Sequence, residues 1–229
     1  MNGKNVLIIA AHPDDELLGC AGTVHKLIKN GSKATSLILG EGMKSRGNIE
    51  ESMLKGLRAD TVMANKEIGI TKVHFEQLPD NQFDSLPLLE VVKVVEKYVD
   101  EIKPDIIFTH FGGDLNIDHR MTFEAVLTAC RPQPGFHHPE IYCFEVPSAT
   151  DYHEIGQCNA FVPNVHVDIE DEINVKIKAL AHYQTEMRPF PHSRSLEGIK
   201  ILAQARGVRV GCAYVEAFVL VRKIIRNRD

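Results

Sequence analysis

Apolar and polar positions follow one another along this chain in blocks that predict strands and helices in turn. Residues 6–11 form a continuous apolar run rich in β-branched side chains. Such a run is typical of a strand that is buried on both faces of a parallel sheet. Apolar residues at helical spacing follow over residues 17–30, and Gly31 suits the end of that helix.

The same alternation continues to about residue 130, with strands predicted at 33–39, 73–75 and 105–110 and helices at 50–68, 86–102 and from 117. It predicts the α/β class, with a Rossmann-like three-layer fold and a mainly parallel, doubly wound sheet. Beyond residue 130 the pattern is less regular. There we expect strands at 140–146, 165–169 and 213–221, and helices at 195–207 and at 170–183, the last with Lys176 and Lys178 on its polar face. No linker, repeat or low-complexity tract appears, so we expect one domain over residues 1–229.

Composition and charge exclude several classes of protein. The chain has 229 residues, of which 44% are hydrophobic and 25% charged, as in ordinary globular proteins. A net charge of −5 gives no reason to expect nucleic acid or an anionic membrane as a partner, although a local basic pocket could hold a phosphorylated substrate. Five cysteines without a C-x-x-C pair predict free thiols in a reducing compartment. We see no signal peptide and no apolar run long enough to span a membrane, so we expect no membrane insertion and a cytoplasmic location.

The strongest chemical signal follows the first strand, where the chain reads His12-Pro13-Asp14-Asp15-Glu16. Ligands bind at the carboxyl ends of strands in open α/β sheets. Acidic residues at a helix start are favoured caps, which accounts for one or two of the carboxylates. It does not account for a histidine beside a proline followed by two adjacent aspartates, and the Gly-rich turn of nucleotide-binding proteins is missing. The turn therefore predicts a metal-centred site.

This turn resembles the Ala-His-Pro-Asp-Asp-Glu signature of the PIG-L/LmbE-like deacetylases, which are zinc-dependent enzymes that remove N-acyl groups, usually from amino sugars. The resemblance implies that His12 and Asp15 bind the metal and that Asp14 is the general base. Shorter matches, Arg206-Gly207 and the run at 216–218, extend it over nearly the whole chain.

A second candidate motif, Gly-Asp-Leu-Asn-Ile-Asp-His-Arg at residues 113–120, follows the fourth strand. If strands 1 and 4 are neighbours, His119 lies close to His12 and Asp15, and two imidazoles with one carboxylate form the open ligand set of catalytic zinc. Taken alone, His119 could equally be a helix-start residue without a role. The segment is similar to the family's second motif, which implies that His119 is the third zinc ligand and that Asp118 fixes the imidazole.

The second motif departs from the family at one position. Many members have a histidine, assigned to oxyanion stabilisation, where this chain has Asn116. An amide N–H can donate to an oxyanion, but it cannot shuttle a proton. His192, in a proline-rich loop, is the candidate replacement, the alternative being an exposed loop histidine without a function. We expect Asn116 or His192 to hold the oxyanion with the metal, and Asp14 or His192 to give the leaving amine its proton.

The resemblance implies a zinc-dependent hydrolase that removes an N-acetyl group from an N-acetylglucosamine-type sugar or sugar conjugate, with Asp14 taking a proton from metal-bound water. Arg46, Arg58 and Arg194 are candidates to bind phosphate or sugar hydroxyls, and Asp80 to bind a hydroxyl. Arg58, on a helix, could equally be a solvated residue.

Relatives in this family are often oligomers, so the chain could form a homo-oligomer. Two other functions remain open. One is a metal-dependent phosphoesterase, although a two-metal site needs more bridging carboxylates than the two motifs supply. The other is a non-catalytic sugar- or metal-binding protein, which Asn116 suggests and the presence of Asp14 opposes.

Overall fold

The computed structural model describes residues 3–47, 49–153 and 160–225, with the side chain of Arg46 outside the description. In these ranges one hydrogen-bonded sheet carries helices on both of its faces. The strands are Asn5–Ala10 (β1), Lys33–Gly40 (β2), Lys72–Leu78 (β3), Ile106–His110 (β4), Glu140–Phe144 (β5), Val165–Asp168 (β6) and Val215–Arg222 (β7). The α-helices are Asp15–Lys29 (α1), Glu51–Glu67 (α2), Leu88–Ile102 (α3), Ile117–Ala129 (α4), Ile173–Leu180 (α5) and Leu196–Val208 (α6).

The seven strands lie in the order β3-β2-β1-β4-β5-β7-β6. The first five strands of the chain pair in parallel, whereas β7 is antiparallel to both β5 and β6. The predicted α/β class and the mainly parallel sheet are confirmed. Because β1 and β4 are direct neighbours, the loops that follow them meet at the same edge of the sheet, as the sequence predicted.

The strand β1 buries both of its faces because its side chains alternate between two cores. Val6 and Ile8 pack with apolar residues of α1, α2 and α5. Leu7 and Ile9 pack on the opposite face with α3 and α4. Full burial of such a side chain contributes about 1.5–3 kcal/mol. Four consecutive buried side chains fix the register of the strand, and with it the position of the turn at its end.

Helix α1 is interrupted at Cys20, whose φ of −147° and ψ of 17° are not helical. An interruption leaves backbone N–H groups without helical partners. The carboxylate of Glu216, on β7, accepts hydrogen bonds from Gly22 N (2.9 Å) and Thr23 N (2.7 Å). Glu216 therefore caps the second half of the helix from a strand far away in the sequence.

Lys176, on α5, links the carboxylate of Glu216 to the first half of helix α1. Its ammonium donates to the carbonyl oxygen of Leu18 and to Glu216 Oε1, both at 2.7 Å. The side chains of Lys176 and Glu216 are only 5% and 4% exposed, so the two form a buried ion pair. The prediction that Lys176 lies on a polar helix face is wrong, because its partner stands on a different element, 40 residues along the chain.

Four cysteines, Cys20, Cys130, Cys143 and Cys212, are free thiols, and the first three of them are buried. Cys158 lies outside the described residues. Within the part of the chain that is described, no helix combines the length and apolar character needed to cross a membrane.

Candidate active site

The loops after β1 and β4 enclose a cavity of about 430 Å³, which is in the usual size range of small-molecule sites. Its walls also include residues that follow β2, β3 and β5. Seven of the site residues predicted from the sequence line it: His12, Asp14, Asp15, Asp80, Asn116, His119 and Arg194.

Asp14 stands at the N-cap position of α1, yet its side chain makes no capping hydrogen bond. Its φ of 100° lies in a region that residues other than glycine rarely adopt, at a cost of about 1–3 kcal/mol. The backbone is held there by Glu16, whose Oε2 accepts from Asp14 N at 3.0 Å. The carboxylate of Asp14 points into the cavity instead of capping the helix, so helix capping does not explain this residue.

His12, Asp15 and His119 present three donor atoms to one point. Asp15 Oδ2 lies 3.4 Å from His12 Nδ1 and 3.2 Å from His119 Nε2. These separations are close to ~3.3 Å, the edge of a tetrahedron whose bonds are ~2.0–2.1 Å long. All three residues are buried, and their ligand atoms lie within 4.8 Å of one another. Two imidazoles and one carboxylate are the donor set of catalytic zinc, so these residues fit a divalent metal ion.

Each of the two imidazoles has a carboxylate behind its other ring nitrogen. His12 Nε2 lies 2.9 Å from Asp118 Oδ2, and His119 Nδ1 lies 3.2 Å from Asp114 Oδ1, a distance of ion-pair contact. Carboxylates in this position orient a metal-binding histidine and make it more basic. The expectation that Asp118 fixes the imidazole of His119 is wrong: Asp118 contacts His12, and Asp114 contacts His119. Sequence reasoning missed Asp114, although it belongs to the second motif and stands five residues before His119.

The charges of these groups reinforce one another. Burial lowers the pKa of His12, but Asp118 and Asp15 outweigh it and raise that pKa to about 10. Burial likewise lowers the pKa of His119, and the charges of Asp15 and Asp114 raise it to about 9. Burial opposes ionisation of Asp15, yet the nearby imidazoles hold its pKa well below the usual range. These carboxylates stabilise one additional proton on each of the two rings. The same negative charge can stabilise a divalent cation bound to the rings in place of the protons.

Arg194 connects the Asp14 turn to the opposite wall of the cavity. Its Nη1 donates to Asp14 Oδ2 at 2.9 Å and its Nε to Ser148 Oγ at 2.6 Å. Glu186 Oε2 lies 3.7 Å from the same Nη1. Burial raises the pKa of Asp14 well above its ordinary value, and the positive charge of Arg194 opposes that rise. Ser148, whose φ is 66°, and Glu186 were missed, because neither lies in a recognisable sequence pattern.

Asn116 is the N-cap of α4, with its Oδ1 accepting from Asp118 N at 2.8 Å. Its Nδ2 donates to Asn81 Oδ1 at 3.0 Å. The residue therefore has a structural role as a cap while its amide lines the cavity.

Asp80 and Asp118 organise the loops beside His12. Asp80 Oδ2 accepts from Ser45 N at 2.8 Å, and its Oδ1 lies 3.4 Å from His12 Nε2. Asp118 accepts from Asn81 N at 2.6 Å in addition to its contact with His12. Both carboxylates are almost completely buried, so they hold the loop after β3 against His12.

Three further predicted residues lie apart from the cavity or outside the description. His192 is not among the lining residues, and its Nδ1 accepts a hydrogen bond from Arg194 N at 3.0 Å. Arg58, on α2, is half-buried, lies 3.8 Å from Glu41 and lines a different surface depression. The side chain of Arg46 lies outside the described part of the structure.

His110, at the end of β4, is a buried neighbour of the metal site that the sequence did not mark as functional. Its Nε2 accepts a hydrogen bond from Ala11 N at 2.8 Å, and its ring stacks on His119 with centroids 3.9 Å apart. Burial and the charge of His119 hold the pKa of His110 well below its usual value. An accepting Nε2 on a neutral ring places the proton on Nδ1. His110 thus fixes both the end of β1 and the plane of His119.

Several known proteins are similar to this chain in sequence or in structure. A probable N-acetyl-alpha-D-glucosaminyl L-malate deacetylase 2 from Bacillus anthracis is 27% identical over 193 residues, which are 81% of this chain and 82% of that protein. The diacetylchitobiose deacetylase of Thermococcus kodakarensis is 28% identical over 196 residues, 80% of this chain and 70% of that protein. A solved structure of 4-carboxy-2-hydroxymuconate hydratase from Pseudomonas putida superposes with a TM-score of 0.77 at 18% identity, covering 98% and 99% of the two chains. That last likeness shows the fold alone, since one fold hosts different reactions.

The family comparison bears directly on the two motifs. Residues 7–130, which contain both of them, match the model of the family described as PIG-L: GlcNAc-PI de-N-acetylase. This match spans more than half of the sequence and confirms the resemblance drawn from the motifs. The chain belongs to the PIG-L family.

Proposed function

We propose that this protein is a zinc-dependent hydrolase that removes the N-acetyl group from an N-acetylglucosamine-type amino sugar or sugar conjugate. The observation that carries the proposal is the carboxylate of Asp14, turned away from its helix into the cavity that also holds His12, Asp15 and His119. The two deacetylases among its relatives support the same reaction class.

The metal would be held by His12 Nδ1, Asp15 Oδ2 and His119 Nε2. Three protein donors leave a coordination position open for water or substrate, as catalytic sites require. A divalent ion bound there supplies Lewis acidity, lowering the pKa of water to ~7 and polarising a carbonyl. Asp118 and Asp114 keep the two imidazoles in the orientation that this binding needs.

Asp14 would act as the general base. Arg194 holds Asp14 Oδ2, so we assign to Oδ1 the acceptance of a proton from the attacking water and its return to the leaving nitrogen. A group with a pKa moved towards the working pH serves both steps, and burial raises the pKa of Asp14 in that direction.

Asn116 would bind the carbonyl oxygen of the acetamido group. One hydrogen of its Nδ2 is directed to Asn81 Oδ1, and we assign the second to the oxygen as that atom gains negative charge. We prefer Asn116 to His192 for this contact because Asn116 lines the cavity and His192 does not.

The position of the site also supports the finer description of the fold. We infer a doubly wound sheet, because the strand order reverses between β1 and β4 and the helices lie on both faces. Ligands of doubly wound proteins bind at such a reversal, beyond the carboxyl ends of the strands.

The direct test is acetate release from N-acetylglucosamine and N,N′-diacetylchitobiose by metal-loaded and metal-depleted protein. We expect release only with metal, and a decrease of about 10²- to 10⁴-fold in Asp14→Asn, which should keep its metal. His119→Ala should lose the metal, whereas His166→Ala, which changes an exposed histidine on β6, should retain both metal and activity.

Three outcomes would contradict the proposal. Activity of Asp14→Asn within a few-fold of the parent would make Asp14 a structural residue. Phosphate release from a generic ester without acetate release would favour a phosphoesterase. Sugar binding without any hydrolysis would favour a non-catalytic binding protein.

A further inference from the structure

We infer that the cavity prefers N-acetylated amino sugars whose sugar unit, the part bound inside the cavity, carries no anionic group. The inference rests on the proposed function and deepens it, since sugar conjugates with phosphate or carboxylate groups and uncharged sugars share the same acetamido group. It also bears on the expectation from sequence that Arg194 binds either phosphate or sugar hydroxyls.

The first argument is the formal charge of the cavity wall. Among the described side chains that line the cavity, carboxylates outnumber guanidinium groups four to one: Asp14, Asp15, Asp80 and Glu186 against Arg194. Asp114 and Asp118 stand directly behind the histidines and add further negative charge.

The second argument is that Arg194 already has anionic partners. Its Nη1 contacts the carboxylates of Asp14 and Glu186, and its Nε donates to Ser148. The Arg194 side chain is only 22% exposed. A substrate phosphate that paired with Arg194 would therefore lie close to the carboxylates of Asp14 and Glu186.

The third argument is the nature of the remaining wall. Asn81 and Asn116 offer amide groups and Ser148 a hydroxyl, while Leu115 and Ile117 supply apolar surface. Amides and hydroxyls pair with sugar hydroxyls without a net charge, and a few polar groups in an apolar wall suit a small uncharged ligand. The wall thus offers partners for an uncharged sugar and repulsion for a phosphate.

The test compares substrates that differ by one phosphate, using the full-length metal-loaded protein. We expect kcat/KM for N-acetylglucosamine to exceed that for N-acetylglucosamine 6-phosphate and N-acetylglucosamine 1-phosphate by about tenfold or more at low salt. The ratio should shrink as ionic strength rises, because screening weakens the repulsion. Equal or better hydrolysis of either phosphorylated sugar would overturn the inference.

A charge-neutralising variant with a matched control tests the origin of the selectivity. Glu186→Gln removes one negative charge from the wall and loosens one contact of Arg194, so we expect the ratio to fall several-fold. Glu124→Gln removes the same charge from an exposed position of α4 and should leave the ratio unchanged. An equal change in both variants would show that net charge, not the cavity wall, sets the preference.

A binding measurement separates this inference from the proposed function. Calorimetry on the metal-loaded protein compares glucosamine with glucosamine 6-phosphate, which carry the same ammonium group and need no turnover. We expect the unphosphorylated amine to bind at least tenfold more tightly. Equal binding, tighter binding of the phosphate, or binding of neither amine would overturn the inference even where acetate is released. Absence of acetate release with the expected binding order would overturn the proposed function alone.

Discussion

The buried ion pair of Lys176 and Glu216 leads to a prediction about the stability of the interrupted helix α1. Glu216→Gln keeps the size of the side chain and removes its charge. Glu216 accepts three hydrogen bonds, from Gly22 N, Thr23 N and Lys176 Nζ. A glutamine offers one oxygen and one NH₂ group, so whichever way the amide turns, its NH₂ faces at least one donor. The ammonium of Lys176 would remain buried without a counter-charge.

The expected loss follows from these contacts. Breaking a buried ion pair by removing one partner costs about 3–5 kcal/mol. An unsatisfied backbone N–H costs about 1–3 kcal/mol by itself. Because the energies of neighbouring interactions are seldom additive, we do not add this cost in full. We therefore expect Glu216→Gln to lower the free energy of unfolding by about 3–5 kcal/mol, a large share of the ~5–15 kcal/mol of a typical domain.

Urea unfolding of the metal-loaded protein at neutral pH measures this loss, and a second lysine on helix α5 supplies a matched control. Lys178, two residues after Lys176, pairs with Glu67 on α2, but the Lys178 side chain is 69% exposed. Breaking that pair with Glu67→Gln should cost no more than about 1 kcal/mol. A loss below 1 kcal/mol for Glu216→Gln, or equal losses for the two variants, would refute the reasoning.

Three shorter predictions concern the metal site. Asp118→Asn should weaken metal binding about 10- to 100-fold in a chelator competition, because His12 loses its carboxylate partner; unchanged affinity would contradict this. His110→Leu should weaken metal binding more than His110→Gln, whose Oε1 can still accept from Ala11 N, and equal affinities would show that the hydrogen bond is unimportant. The pKa values of His12 and His119 are raised from 6.5 to about 10 and about 9, so the stability they give the metal-free protein is complete below pH 6.5 and lost as the pH rises through 9–10. The free energy of unfolding should fall over that range without metal and much less with it; parallel curves would contradict the assignment.

Much of the fold was predictable because its signals are local. The apolar run of β1, and the helical spacing of apolar residues in α3, each indicate burial from a single segment of the chain. The site at the ends of β1 and β4 was predictable as well, since parallel strands bring their carboxyl ends to one edge.

The parts that the sequence did not predict depend on partners far away along the chain. Lys176 looks like a surface residue until β7 places Glu216 beside it. Ser148 lies at the cavity in contact with Arg194, which is 46 residues away along the chain, and Glu186 contacts the same guanidinium. His192 shows the converse: its loop does approach the cavity, but the residue that enters is Arg194, two positions later. A loop without regular periodicity gives no rule for which of its side chains points inward.

The adjacent residues Asp14 and Asp15 show how one turn can separate two chemical roles. Asp15 has helical geometry and faces the two imidazoles, whose charges hold its pKa well below the usual range, so it stays ionised, as its proposed role as a metal ligand requires. Asp14, at a φ of 100°, faces the cavity, where burial raises its pKa well above the ordinary value. Surroundings that shift the pKa values of two neighbouring carboxyl groups in opposite directions leave one group permanently charged and allow the other to carry a proton. The strained backbone of Asp14 is what allows consecutive residues to face different surroundings, and this links the unusual torsion angle to the chemistry proposed for the site.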